Sequence, residues 1–320
     1  MVWDGKDRAA VIDIGSNTIH LLVADCVVGR VNPIYEAHVR AGLGLAVAGG
    51  ARLGSERIRA AAAIVRGYAD EARRYHARDI IVVGTHAVRV ASDRAAFVGA
   101  IEREAGVKVL VLTSEQEAVL CVAGAALGPL PPPPFLFADI GGGSSDLAAV
   151  GSRGVERAAS LPVGSGVLAA RDLAGDPPAA SRIDETVAMV RDRLAALEPL
   201  GLAGGPELVV TGGAARRLRR QAGGDRRAAL PAGALHDLVG RLLRVPSAGW
   251  PRRPVTPERA AFIRAGGVIL REIAVRWHVA MWRVSGYGLR DGALARWASG
   301  LRIDAELPGG AEVTGGHSNA

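Results

Sequence analysis

The chain has 320 residues, 49% of them hydrophobic and 22% charged. At roughly 100–200 residues per domain this predicts two domains, each able to bury a core. No apolar run reaches the ~18 residues of a membrane span and no charged-then-apolar leader precedes the first strand, so a membrane partner is not expected and the cytoplasm is the expected location. The formal net charge of +7, carried almost wholly by arginine because Lys6 and Lys108 are the only lysines, points to a polyanionic partner. Zinc-finger spacing, a helix-turn-helix and an aromatic-interleaved basic stripe are not recognisable, so nucleic acid is not the expected polyanion.

The first predicted strand, over residues 10–13, ends in Asp13 and is followed by Gly15-Ser16-Asn17-Thr18 and a second strand over 21–24. Cys26 after it, like Cys121 further on, sits in an apolar segment without metal-type spacing and reads as a buried thiol. Residues 32–38 predict a third strand, making an antiparallel ribbon, and 40–45 a glycine-broken loop. Arg40 reads either as a cleft residue or as a solvated loop arginine. A helix capped by Ser55 runs to about Tyr75, with Ile58, Ala62, Val65, Ala69 and Ala72 on one face. The strand over 80–83 ends in Gly84-Thr85-His86-Ala87-Val88-Arg89. Arg89 lies where ligands gather in α/β sheets, while His86, with no histidine or cysteine partner nearby, reads as a bystander. A helix over about 93–105, a strand over 107–112 and a second helix follow, the last with Ser114 as its cap and Glu117 three residues on.

The prolines between Pro129 and Pro134 mark a boundary, giving an N-terminal domain over 1–126 and a C-terminal domain over 127–304. The second half opens on the buried strand 135–140, which carries Asp139 near its end and runs into Gly141-Gly142-Gly143-Ser144-Ser145-Asp146. A strand over 147–150 and the segment Ser160–Gly166 follow, then an amphipathic helix over 182–197. The strand over 207–211 runs into Gly212-Gly213 at a helix start, an anion site by the helix N-terminus argument. Pro257 opens a long helix, a last strand covers 282–285, and the closing helix, placed at 290–303, is assigned a possible return onto the first domain. The glycine-rich tail 305–320 lacks a packing face and is expected to be disordered.

The acid–glycine–hydroxyl turn thus occurs twice, once in each half. Glycines let backbone N–H groups approach an anion closely, serine hydroxyls add donors, and Asp139 and Asp146 could hold a divalent cation that offsets phosphate charge. Two such turns suit a cleft between two similar α/β domains that grips a phosphate chain from both sides.

With these segments in order, residues 9–300 resemble the exopolyphosphatase and guanosine pentaphosphate phosphohydrolase (Ppx/GppA) family, within the group sharing the actin, sugar kinase and Hsp70 ATPase fold. The resemblance rests on Ile12–Asn17, Thr85–Arg89, Glu115–Ala118, Asp139–Asp146, Ser160–Ser165, Thr211–Gly213, Pro257–Ala260 and Gly288–Gly292. It implies two ribonuclease H-like (actin-like) domains with a cleft between them. It further implies Glu117 as the base acting on water, and Mg²⁺ or Mn²⁺ at Asp139 and Asp146. Phosphates would be held by Ser16, Asn17, Arg89, Gly141, Gly142, Gly143, Ser144, Ser145, Gly212 and Gly213. Linear polyphosphate is the first substrate expected and guanosine pentaphosphate the second, with a non-catalytic sensor of polyphosphate or guanosine tetraphosphate as the alternative; a homodimer is implied by the family only. The chain departs from the family pattern at Asp146, where glutamate is usual, at His86, where a small residue is common, and at Ser114, where glycine is usual. The resemblance is to the short, two-domain members, so the helical C-terminal domain of longer members is not expected.

Overall fold

The structure, a computed structural model, describes residues 7–48, 52–202, 204–250, 252 and 255–304. The tail expected to be disordered lies outside the described residues. The first half runs β1 (Arg8–Ile14), β2 (Thr18–Val27), β3 (Arg30–Arg40), α1 (Leu43–Val47), α2 (Ser55–Arg74), β4 (Asp79–Gly84), α3 (His86–Val90), α4 (Arg94–Ala105), β5 (Val109–Val111) and α5 (Ser114–Ala125). After the prolines come β6 (Phe135–Ile140), β7 (Ser145–Gly151), β8 (Gly154–Leu161), α6 (Ser165–Arg171), α7 (Ala180–Ala195), β9 (Leu208–Thr211) and α8 (Gly213–Ala222). The chain closes with β10 (Leu230–Pro231), α9 (Ala232–Arg244), α10 (Pro257–Arg276), β11 (Met281–Val284) and α11 (Leu289–Ala298).

Two sheets result, ordered β3-β2-β1-β4-β5 and β10-β11-β9-β6-β7-β8. In each, an antiparallel three-stranded ribbon (β1-β2-β3, β6-β7-β8) is extended by parallel strands (β4 and β5, β9 and β11). The second sheet therefore repeats the first and adds the short β10 at its edge. The registers repeat as well: Ile14 pairs with Ile19 and Asp13 with His20 in one ribbon, Ile140 with Ser145 and Asp139 with Asp146 in the other.

Strand periodicity decides which way the acids point. Ala10, Ile12 and Ile14 pack under α2 and α4, and Leu136, Ala138 and Ile140 pack under the outer helices of the second sheet. Ala9 and Val11, and Phe135 and Phe137, face a third core shared by both sheets, built around α5 and α11. With a side-chain period of two, Asp13 and Asp139 fall on that inner face, at the ends of their strands and above buried apolar side chains. The helices α5 and α11 cross at their backbones: a Cβ on Gly292 would stand 2.7 Å from the Gly124 nitrogen, closer than any side chain can sit.

Three local expectations are corrected. Ser55 is the first residue of α2 and caps nothing; Gly54 precedes the helix, and the Asp93 carboxylate accepts from the Leu53 and Gly54 amides at 2.9 Å each. The 40–45 segment is partly helical, α1 forming where the Gly44 amide donates to the Ser16 carbonyl at 2.6 Å. The cap of α5 is Thr113, not Ser114: its hydroxyl accepts from the Gln116 amide at 3.2 Å while the Gln116 side chain accepts from the Thr113 amide at 2.9 Å. The glutamine completes the box, so the Glu117 carboxylate is left for other work.

Candidate active site

A cavity of about 830 Å³ opens between the two halves, at the C-terminal ends of β1, β4, β6 and β9, where ligands collect in open α/β sheets. Its floor is the pair of turns. Each is closed by the same hydrogen bond, Gly15 N–H to the Thr18 carbonyl at 3.1 Å and Gly141 N–H to the Ser144 carbonyl at 3.0 Å. The turn carbonyls are tied back into the protein. Ser16 O accepts from Gly44, Asn17 O from Ala41 and Gly42, Gly141 O from Ser165, and Gly142 O from Gly166 and Val167. In a planar trans peptide the next N–H points the opposite way, so the amides of Asn17, Thr18, Gly142 and Gly143 turn away from these anchors. Aligned N–H groups of this kind form an anion-binding concavity.

The two turns meet. A Cβ on Gly143 would lie 2.9 Å from the Ser16 Cβ and 3.0 Å from His86 Cδ2, and one on Gly142 would lie 3.0 Å from the Asn17 Cβ. Only backbone fits there. Gly212 and Gly213, opening α8, line the same cavity from the side of Asp139.

Behind the turns lies a buried carboxylate group. Glu117 lines the cavity and is 6% exposed. Arg89 donates to Glu117 Oε2 at 3.0 Å and to the Leu112 carbonyl at 2.8 Å. Burial raises Glu117 well above its ordinary 4.5, the charge of Asp146 adds to the rise, Arg89 opposes it and Asp139 adds to it. Asp139 is pushed up from 3.8 to about 6, first by burial and then by Asp146. Cys121 Sγ reaches Asp139 Oδ2 at 3.5 Å, and burial holds that thiol protonated.

The predicted residues divide on this geometry. Ser16, Asn17, Gly141, Gly142, Gly143, Ser144, Gly212, Gly213, Glu117 and Asp139 line one cavity. Arg89, Ser145 and Asp146 do not. Arg89 stands behind Glu117 as its counter-ion. Ser145 is fully buried and its hydroxyl donates to the Val163 carbonyl at 2.8 Å. Asp146 lies buried beside Asp139 in the strand register and accepts from the Ser144 hydroxyl at 3.2 Å.

Several cavity residues stand outside the predicted set. Asp13 is the counterpart of Asp139 in the first turn, raised by burial and drawn back by Arg290; the repeated turn was the signal that could have found it. His20, beside Asp13 in the register, is lowered to about 3 by burial and by Arg290, His38 and Arg216, so it is neutral at pH 7. His86 is lowered to about 4 by burial and Arg89, and its ring packs against Gly143. Six arginines also line the cleft: Arg40, Arg216, Arg217, Arg220, Arg259 and Arg290. Only Arg40 stood out in the chain-order reading. The run Arg216-Arg217-Leu218-Arg219-Arg220 advertised the others, but Arg219 shows why counting fails: it is 2% exposed and donates to loop carbonyls of Asp225 and Ala228.

The residues present fit a hard divalent cation. Asp139 offers carboxylate oxygens to the cavity, with Asp13 in the other turn lining it too, and burial raises both carboxyls more than Arg290 and Arg216 draw them back. Among the described residues no three His, Cys, Asp or Glu side chains converge as a cage. That arrangement suits Mg²⁺, which binds through one or two carboxylates, waters and the phosphates of its substrate.

Duplicated α/β halves whose acid–glycine turns close on one another over carboxylates and arginines define a phosphate-handling protein of the actin-like ATPase type. The chain belongs to the Ppx/GppA phosphatase family, whose sequence profile matches residues 22–300. It is 29% identical over 331 residues to Exopolyphosphatase 1 of Mycobacterium tuberculosis, covering 96% of this chain and 91% of that protein. It is 30% identical over 297 residues to Exopolyphosphatase 2 of the same organism, covering 83% and 90%. The crystal structure of the Aquifex aeolicus Ppx/GppA family member superposes with a TM-score of 0.76 at 25% identity, covering 92% of this chain and 98% of that one. An exopolyphosphatase from Cytophaga hutchinsonii shares the fold, with a TM-score of 0.79 at 22% identity over 93% and 100% of the two chains.

Proposed function

We propose that this chain is an exopolyphosphatase that removes the terminal phosphate of linear polyphosphate. Water attacks the terminal phosphorus, the bridging P–O bond to the next phosphate breaks, and orthophosphate and a chain one unit shorter are released. The observation that carries this reading is the cleft itself, in which a buried carboxylate faces two abutting amide-lined turns beneath a wall of arginines. Phosphoryl transfer asks chiefly for positioning and charge neutralisation, and these residues divide that work.

In this reading the amides of the two turns, with Ser16, Asn17, Gly141–Gly143, Gly212 and Gly213, hold the terminal phosphates. Glu117 orients the attacking water and takes its proton. Arg89 favours the ionised form of Glu117 against the larger pull of its burial. Asp146 and Ser144 brace the strand end that presents Asp139. Asp139 would hold Mg²⁺ or Mn²⁺ together with substrate oxygens, the ion supplying positive charge to the phosphates when bound. The same reading includes domain limits at 1–126 and 127–304, a cytoplasmic location and a homodimer. Among the described residues no helix is long and apolar enough to cross a membrane.

The deciding experiment is orthophosphate release with Mg²⁺ from long polyphosphate, with guanosine pentaphosphate run beside it. Glu117→Gln is expected to lower kcat by ~10³-fold or more while polyphosphate still binds. Turnover that survives the change would remove Glu117 from its role. Binding without release by the native protein would make it a sensor instead.

A further inference from the structure

The cleft does not end at the terminal-phosphate turns. It continues along α8, whose first residue, Gly213, lies beside the turns and whose Arg216, Arg217 and Arg220 line the same cavity. Residues spaced i, i+3 and i+4 share a helix face, and at 1.5 Å per residue Arg220 stands ~10 Å beyond Gly213 along the axis. The arginines fall into two groups by what they face. Arg216 feels Arg290, Asp139 and Asp291 and, last, Arg220, and so joins the carboxylate end to the outer arginines. Arg217 feels Arg259, Arg220, Arg216 and Arg40, a cluster of like charge.

This outer cluster is built rather than accidental. The Arg217 guanidinium donates to the Gly213 carbonyl at 3.1 Å and lies 5.6 Å over the Phe262 ring, which fixes its direction. None of Arg40, Arg217, Arg220 and Arg259 takes part in an ion pair among the described residues, whereas elsewhere arginines such as Arg89, Arg191 and Arg264 are paired with buried or half-buried carboxylates. Glu258 lines the cavity among them and feels the charge of Arg40, but four cations still outnumber it and repel one another until an anion arrives.

We propose that Arg217 and Arg220, with Arg40 and Arg259 facing them and Phe262 as their wall, form a distal polyanion subsite that selects long phosphate chains over short ones. The proposal rests on the exopolyphosphatase reading, which it deepens. A chain whose terminal phosphate sits in the turns meets Arg216 first and the distal group only after further phosphates. A chain too short to reach it cannot use those contacts. Because distal contacts exist equally before and during bond breaking, they strengthen binding and act on KM more than on kcat.

The test compares tripolyphosphate with long-chain polyphosphate, measuring both phosphate release and direct binding by calorimetry. The proteins are the native chain, the double variant Arg217→Ala with Arg220→Ala, and the control Arg241→Ala with Arg244→Ala on α9, outside the cleft and equal in charge lost. With two guanidinium contacts to phosphate removed, the distal variant is expected to lose ~100-fold in kcat/KM on the long chain. Its long-to-short ratio should fall by ~10-fold or more, mainly through KM, while the control keeps the native ratio. Equal losses on both substrates, with release intact, would overturn the subsite and leave the enzymatic reading standing. Selective loss of long-chain binding in a protein that releases no phosphate would do the reverse. Absence of both release and length-dependent binding would overturn both.

Discussion

Glu117 and Arg89 set opposing demands on one carboxylate. Burial and the neighbouring Asp146 favour its protonated form, and the guanidinium 3.0 Å away favours the ionised form that a base requires. Removing the cation by Arg89→Gln should therefore raise the Glu117 pKa and move the acid limb of the pH–rate profile to higher pH by ~1–3 units. Arg89→Lys should restore part of the shift, since it returns charge without the second hydrogen bond to Leu112. A profile that stayed in place would show that Glu117 is not the group titrating. Gly143→Ala tests the floor: its Cβ would press on Ser16, forcing the turns apart at a cost of ~1–3 kcal/mol, with a drop in kcat/KM larger than the drop in stability explains. Roles at this scale were only half legible. The glycines and Asp139 declare themselves because a strand ending in an acid and glycines has few other uses. Arg89, Ser145 and Asp146 sit in equally suggestive positions, but side-chain direction and neighbours turn them inward, and neither can be read along a chain.

The helices α5 and α11 bring the catalytic pieces together. Glu117 rides on α5, and Arg290 and Asp291 ride on the first turn of α11, whose Gly288 amide donates to Asp291 at 2.9 Å. Their crossing at Gly124 and Gly292 leaves no room for a methyl. Gly292→Ala should destabilise the protein by ~2 kcal/mol or more, because backbone on both helices would have to move; a urea titration measures it. Activity should fall further than the folded fraction, since Glu117 and Arg290 would separate. The periodic helices α2 and α10 were plain from sequence, whereas the crossing was not: glycines in two helices 168 residues apart carry no sign that they touch. Helix α9 is absent from the sequence expectations, although Leu235, Leu238, Val239, Leu242 and Leu243 keep an unbroken helical period on its buried face.

For the whole molecule, the carboxylates make stability depend on pH in an uncommon direction. A carboxyl raised on folding holds its proton more tightly in the native chain. For Asp139 the resulting stability is complete below about 3.8 and is lost as the pH rises through about 6. Asp13 and Glu117 are shifted in the same direction. The metal-free protein is thus expected to lose thermal stability between pH 4 and 7 from this cluster, as other groups permit. Added Mg²⁺ should raise Tm more at pH 7.5 than at pH 5, because ionised carboxylates bind the cation and protonated ones do not. Equal gains at both pH values would place the ion elsewhere. Chelation should return the protein to its metal-free Tm.

Sequence by itself determined the duplicated turn, the alternation of apolar strands and amphipathic helices, and so the pair of α/β sheets with a cleft between them. These are local: a strand's period of two, a glycine run and a cap each span a few residues, and the same pattern written twice implies the same fold twice. Only the tertiary structure decided which charged groups share the cleft. The Asp13–Asp139 approach, the Arg89–Glu117 pair and the arginines of α8 facing Arg40 and Arg259 all join distant segments. Electrostatics and burial act through space, and the distances that control them exist only once both sheets have closed around α5 and α11.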